Sequence, residues 1–284
     1  MDGHVSLRVG IMQGRLVPPL GGRIQAFPRE RWRDEFALAR NVGFDALEFI
    51  FDADDAAAVQ GHPLLEEDCS TIRSLVERSG VAVSTICADY FIRHPVHGAD
   101  RGDAERSVAL LERLIANTRD LGVTDIVLPC VDESSFRDDH DRASFVRGLA
   151  PVLDRCDALG VNLALETDLP PKEFVDLLET MRGHRVTVNY DVGNSASLGY
   201  EPVDEWAAYG DRVSSVHVKD RLRGGSTVPL GSGAVDFERF FSTARQHGYR
   251  GLFLIQGARG ADDIETARRY KTFVDQHLRA AYGS

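Results

Sequence analysis

No stretch of this chain approaches the ~18 consecutive apolar residues that a membrane-spanning helix needs, so a membrane is not expected among its partners. The opening Met1-Asp2-Gly3-His4 has neither a basic n-region nor an apolar h-region. No secretory signal is expected, and the cytoplasm is the default compartment. Cysteine is scarce. Cys69, Cys87, Cys130 and Cys156 include no C-x-x-C pair, which removes zinc-ribbon and dithiol redox classes. Cys87 and Cys130 lie in apolar strand-like runs and read as buried thiols. Basic residues are outnumbered, 33 Lys and Arg against 44 Asp and Glu, for a net charge of −11. Phosphate neutralisation supplies most non-specific nucleic-acid affinity, so no nucleic-acid partner is expected. A local basic pocket for a small anion is still allowed. No strand is followed by G-x-G-x-x-G, so a dinucleotide-binding doubly wound sheet loses its main support.

What the chain does have is alternation. Eight apolar, β-branched runs recur: Arg8–Gln13, Ala46–Phe51, Val81–Cys87, Asp125–Cys130, Val161–Glu166, Arg185–Asp191, Arg212–Val218 and Gly251–Gln256. Between them lie helical patterns near Pro28–Asn41, Glu66–Ser79, Asp103–Leu121, Asp141–Leu159, from Pro171, Val203–Tyr209, Asp236–His247 and Asp262–Ala281. Asp103 is placed as a helix cap, and Gly43, Gly80, Gly122 and Gly160 as stops. Asp52–Pro63 and Ala88–Gly102 read as polar loops. Strict β-then-α order implies a parallel sheet with helical crossovers. Eight such units in 284 residues fit one α/β (β/α)8 TIM barrel, typically about 250 residues. No linker interrupts the pattern, so residues 1–284 are read as a single barrel domain. Trp32 and Trp206 lie in helical stretches and read as packing residues. Arg29-Glu-Arg-Trp-Arg-Asp-Glu35 reads as a solvated, mixed-charge helix start.

In such barrels the carboxyl ends of the strands form the active face. Their polar residues are Gln13 and Arg15, Glu48, Cys87 and Asp89, Cys130 and Glu133, Glu166, Asp191, His217, and Gln256 with Arg259. Glu166, Asp191, His217 and Gln256 end four consecutive strands. Two carboxylates, an imidazole and an amide oxygen suit a divalent ion, Mn2+, Mg2+, Co2+ or Fe2+ better than Zn2+.

On these residues the chain resembles the xylose-isomerase-like barrel superfamily, and within it the L-ribulose- and L-xylulose-5-phosphate 3-epimerases. The matching stretches are Leu165-Glu166, Asp191-Val-Gly-Asn-Ser195, Val216-His-Val-Lys-Asp220, Val228-Pro-Leu-Gly-Ser-Gly-Ala-Val-Asp-Phe237 and Gly248-Tyr-Arg-Gly251. The opening Met12-Gln-Gly-Arg-Leu16 is similar to that of uncharacterised sugar-phosphate isomerase and epimerase relatives. The resemblance implies that Glu166, Asp191 and His217 hold a metal, with Mn2+ the expected ion. It also implies a proton transfer through an enediolate, with Glu166 as a base. The family's fourth ligand is usually a Glu, and Gln256 stands there. An amide can bind the ion but cannot act as a base. Either Asp89, His94 or Glu133 replaces the second carboxylate, or the reaction needs one base only.

Arg15, Lys219, Arg221 and Arg259 lie near the expected mouth, and the amides of Gly224-Gly225 and Gly231-Ser-Gly233 are candidates for a phosphate cradle. Asn194 joins Asp89, His94 and these four basic residues as candidate substrate contacts. A small-molecule sugar or sugar-phosphate substrate is expected, and both forms stay open. The leading expectation is a metal-dependent sugar isomerase or epimerase. Its rivals are a keto-inositol or sugar dehydratase on the same site, an apurinic-endonuclease-like phosphodiesterase and a non-catalytic relative. A homo-oligomer is neither required nor excluded.

Overall fold

The computed structural model describes residues 7–53, 56–66 and 69–283. Met1-Asp2-Gly3-His4, Asp54, Asp55, Glu67 and Asp68 lie outside them. Eight parallel strands close a barrel: β1 Arg8–Met12, β2 Ala46–Ile50, β3 Ala82–Cys87, β4 Asp125–Cys130, β5 Asn162–Thr167, β6 Val186–Asp191, β7 Val213–Val218 and β8 Leu252–Ile255. They run in chain order around the ring, and β8 returns to pair with β1. The expected (β/α)8 barrel is therefore the fold, with each strand within about two residues of its expected bounds.

The strands read as continuous apolar runs because both faces are covered. Every residue of β2 is buried, Glu48 included. Helices begin at a repeated device: Asp100, Asp138, Asp191, Asp236 and Asp262 each accept the backbone N–H three residues on. The expected cap at Asp103 is thus corrected. Asp103 supplies the N–H that Asp100 receives, 2.9 Å away, and the helix starts at Arg101. Gly160 ends the long helix Asp139–Leu159 with a left-handed turn at φ 71°.

Five further elements differ from expectation. Ala56–Gln60 is a short helix and Pro63–Leu65 a 3-10 turn where a loop was expected. Tyr90–Arg93 is one helical turn inside the segment Ala88–Gly102. Val192–Leu198 is helical, although its Gly, Asn and Ser content reads as loop, because Asp191 caps it and Gly199 closes it at φ 89°. Asp220–Arg221 pairs antiparallel with Thr227–Val228 as a small hairpin beyond β7.

The chain divides into two compact units. One comprises residues up to Glu48, Ser79–Val81 and everything from Asn189, and the other comprises Phe49–Arg78 and Ala82–Val188. The first packs a ring cluster of Trp206, Phe240, Phe241 and Phe253, all at most 1% exposed, with Tyr190 stacked on Phe240 at 5.8 Å. Trp32, in the same unit, is also buried, so both tryptophans are packing residues as expected. The second unit gathers Phe51 with His62, Tyr90 and Phe91, and separately Phe136 and Phe145 around His97. All four cysteines are buried, and none of them forms a disulfide. No helix among the described residues is long and apolar enough to cross a membrane.

Candidate metal centre

β6 and β7 deliver Asp191 and His217, and β5 delivers Glu166. Each of these buried residues offers one ligand atom, and the three atoms lie within 4.8 Å of one another. Two carboxylates and an imidazole at that spacing form a donor set for a hard or borderline divalent ion.

The two oxygens of Asp191 do different work. Oδ1 accepts the Asn194 N–H at 2.8 Å, which caps the helix Val192–Leu198 and fixes the carboxylate plane. Oδ2 lies 4.0 Å from His217 Nδ1 and receives Lys219 Nζ at 3.1 Å. Oδ2 is therefore the oxygen on the His217 side, and Lys219 is the cation that balances it. Gly193 leaves room for this arrangement. A Cβ there would stand 2.9 Å from the Lys219 side chain and 3.0 Å from its backbone.

His217 is fully buried, and its two nitrogens face different groups. Nε2 lies 2.8 Å from Glu48 Oε2, an ion-pair distance with an off-line donor angle. Nδ1 faces Asp191 and stands 3.1 Å from Asn189 Nδ2. With Glu48 against Nε2 the ring proton sits there and Nδ1 accepts from Asn189 Nδ2, so an ion at Nδ1 would take the place of that hydrogen bond, as in carboxylate–histidine–metal arrangements. Glu48 thus stands beside a candidate ligand. One signal was present: a lone carboxylate in the middle of an otherwise apolar, doubly covered strand.

Gln256 stands one residue beyond β8, with its backbone N–H on Val218 O at 3.0 Å. Its Nε2 donates to Gln25 Oε1 at 3.0 Å, and its Oε1 is buried with no hydrogen-bond partner. An orphaned buried carbonyl oxygen is what a fourth ligand looks like before the ion binds. The residues present therefore fit a divalent ion.

The expected substrate contacts fare differently. Arg15 is only 7% exposed and gives its donors to Gly257 O at 3.1 Å, Ile24 O at 2.7 Å and Gln25 Oε1 at 3.0 Å. Arg259 bonds Ile24 O, Val17 O, Gly14 O and Asp263. Both arginines hold the loop after β1. Arg221 bonds Gly225 O through two nitrogens and Asn194 Oδ1 through a third. The expected phosphate cradle is corrected outright. The N–H groups of Gly231, Gly233 and Val235 all point at the buried Asp220 carboxylate, at 2.9, 2.8 and 3.2 Å. Gly224 and Gly225 donate to Ser197 O and Leu222 O. A nest already holding an in-chain carboxylate has no amides left for a phosphate.

In the second unit, Asp89 accepts from Cys87 Sγ at 3.1 Å. His94 is exposed and stacks on Tyr90 with 4.4 Å between ring centroids. Glu133 is exposed in the 3-10 turn Asp132–Ser134. Cys130, beside Glu166 on the neighbouring strand, has its thiol pushed well up by burial and then by the charges of Asp168 and Glu166. It stays a thiol.

Glu35 lies elsewhere than its sequence setting predicts. It is not on a solvated face but fully buried, and it accepts the Gly14 N–H at 2.7 Å and the Leu16 N–H at 3.2 Å. Burial pushes its carboxyl up to about 7, against those backbone bonds and the charges of Arg259 and Arg15. The loop carrying Arg15 is thus held from two sides, by Glu35 and by Arg259.

The sequence pattern of the xylose isomerase-like TIM barrel family matches residues 36–272. An L-ribulose-5-phosphate 3-epimerase of Salmonella paratyphi A is 29% identical over 249 residues, spanning 84% of this chain and 86% of that protein. A solved L-ribulose 3-epimerase superposes with a TM-score of 0.76 at 18% identity, over 98% of this chain and 96% of that one. A xylose isomerase-like TIM barrel protein of Mycobacterium smegmatis, solved in complex with magnesium, gives 0.69 at 18% identity over 99% of each chain. At such identities the two structures speak for the fold. The sequence relatives carry the kinship, and the chain belongs to the xylose isomerase-like TIM barrel family.

Proposed function

We propose that this protein is a divalent-metal-dependent sugar epimerase or isomerase, and that Glu166, Asp191, His217 and Gln256 hold the ion. The observation that carries the reading is the close approach of Glu166, Asp191 and His217 ligand atoms in a chain whose relatives are sugar epimerases. A bound divalent ion, Mn2+ by preference for this oxygen-rich set, supplies charge to stabilise an enediolate formed next to a sugar carbonyl.

The chain's own residues then have distinct tasks. Glu166 removes and returns the proton. Asn194 and Glu48 hold Asp191 and His217 in place. Gln256 supplies an oxygen and no base. With Glu133 and His94 exposed, Asp89 is the remaining candidate for a second proton carrier. Otherwise a single carboxylate serves, as suits aldose–ketose isomerisation. The same feature favours a second reading, dehydration of a keto-sugar or keto-inositol, because elimination also proceeds with one base.

A neutral sugar fits these residues better than its phosphate ester. Arg15, Arg259 and the Gly231–Gly233 amides already serve in-chain acceptors, although the Salmonella relative acts on a 5-phosphate. Assays of L-ribulose and L-ribulose 5-phosphate with Mn2+ decide this, the free sugar being expected to give the higher kcat/KM. Glu166→Gln is expected to lower kcat by at least about 100-fold while retaining the metal. Turnover left intact would remove Glu166 from its role. Solvent deuterium appearing in both recovered substrate and product supports isomerisation, and a dehydrated product establishes the second reading.

A further inference from the structure

A carboxamide has a donor end and an acceptor end of nearly equal shape, and its partners decide which way each points. For Gln256 the decision begins at Arg15. A guanidinium can only donate. Arg15 is clamped by Gly257 O and Ile24 O, and its remaining nitrogen, Nη2, lies 3.0 Å from the Gln25 side chain. Gln25 must therefore turn its oxygen toward Arg15. The same oxygen is 3.0 Å from the Gln256 side chain, which can answer an acceptor only with its nitrogen. That nitrogen also lies 3.3 Å from Met12 Sδ. With Nε2 committed, Oε1 is the end left over, buried and without a hydrogen-bond partner.

We propose that Arg15 and Gln25 are positioning residues for the metal centre: their one-way chain of hydrogen bonds orients the Gln256 amide with its oxygen toward the ion, and disfavours a carboxylate at that position. The inference rests on the metal-centre reading above. A carboxylate at position 256 would set an acceptor oxygen against Gln25 Oε1. Gln25 cannot present its NH2 group instead without turning it on Arg15 Nη2. The amide is thus matched to the loop after β1, and the loop is matched to β8 by Arg15 itself. On this account Gln256 is a built ligand and not a decayed glutamate.

The test is calorimetric titration of Mn2+ into chelator-treated protein for the wild type, Gln25→Leu and Gln25→Glu. Leu keeps much of the bulk and removes the acceptor. Glu keeps an oxygen for both donors. The expected result is a Kd at least about 10-fold weaker for Gln25→Leu and within about threefold of wild type for Gln25→Glu, with all three sharing one circular dichroism spectrum. Wild-type affinity in Gln25→Leu, or equal loss in both variants, overturns the proposal. If the wild type itself takes up no Mn2+, the metal-centre reading fails, and hydrogen exchange of the Gln256 carboxamide protons decides the relay alone. Those protons, assigned by their disappearance in Gln256→Leu, are expected to exchange slowly in wild type and Gln25→Glu and faster in Gln25→Leu. Equal exchange in all three overturns the relay.

Discussion

Replacing Glu35 with glutamine isolates the energetics of a buried carboxyl that holds the β1 loop. Burial raises this group from 4.5 to about 7 in the folded protein. A carboxyl with a higher folded than unfolded value binds its proton more tightly in the native state. Its contribution is fully present below about 4.5 and is lost as pH rises through about 7. At about 1.4 kcal/mol per pH unit the whole span is worth roughly 3 kcal/mol, and the part between pH 5 and pH 8 about 2.5 kcal/mol. Glutamine keeps an oxygen for the Gly14 and Leu16 N–H groups and cannot ionise. Urea unfolding of metal-free wild type and Glu35→Gln, at pH 5, 6, 7 and 8, should therefore show a stability difference that shifts by about 2.5 kcal/mol in favour of the variant as pH rises. Parallel curves would refute the reasoning. They would mean that the backbone bonds and the Arg15 and Arg259 charges offset the burial completely.

Three further outcomes are expected. Glu48→Gln should weaken Mn2+ binding about 10- to 100-fold in a direct titration, because His217 loses the carboxylate against Nε2. Unchanged affinity would leave Glu48 a purely structural residue. Asp220→Ala should lower unfolding free energy by roughly 3 kcal/mol or more, since the N–H groups of Gly231, Gly233 and Val235 lose a shared acceptor. A shift below about 1 kcal/mol in urea would show that water replaces it. Gly233→Ala should be destabilising by about 1–3 kcal/mol in the same assay, as its Cβ would approach the Arg221 carbonyl to 2.5 Å. Neutrality there would mean that the hairpin shifts freely.

The sequence by itself determined the barrel. Eight apolar runs, each followed by a helical pattern, permit little else, because strands covered on both faces announce themselves without reference to distant residues. It also grouped Glu166, Asp191 and His217, since each stands at the carboxyl end of its strand, β5, β6 or β7, and a parallel barrel turns all those ends to one face. The short helix after Asp191 was hidden because its helicity comes from a cap and a glycine stop and not from an apolar stripe. What the tertiary structure alone decided is where each charge is spent. Arg15 reads identically whether it faces a substrate or the carbonyl of Gly257, a partner 242 residues away. Glu35 looks solvated among its charged neighbours until the loop of Gly14 and Leu16 folds over it. The glycine amides look ready for phosphate until Asp220 fills them. Local pattern reports which groups a chain carries, and only long-range packing fixes which donor meets which acceptor, because a hydrogen bond is satisfied by geometry and not by proximity in sequence.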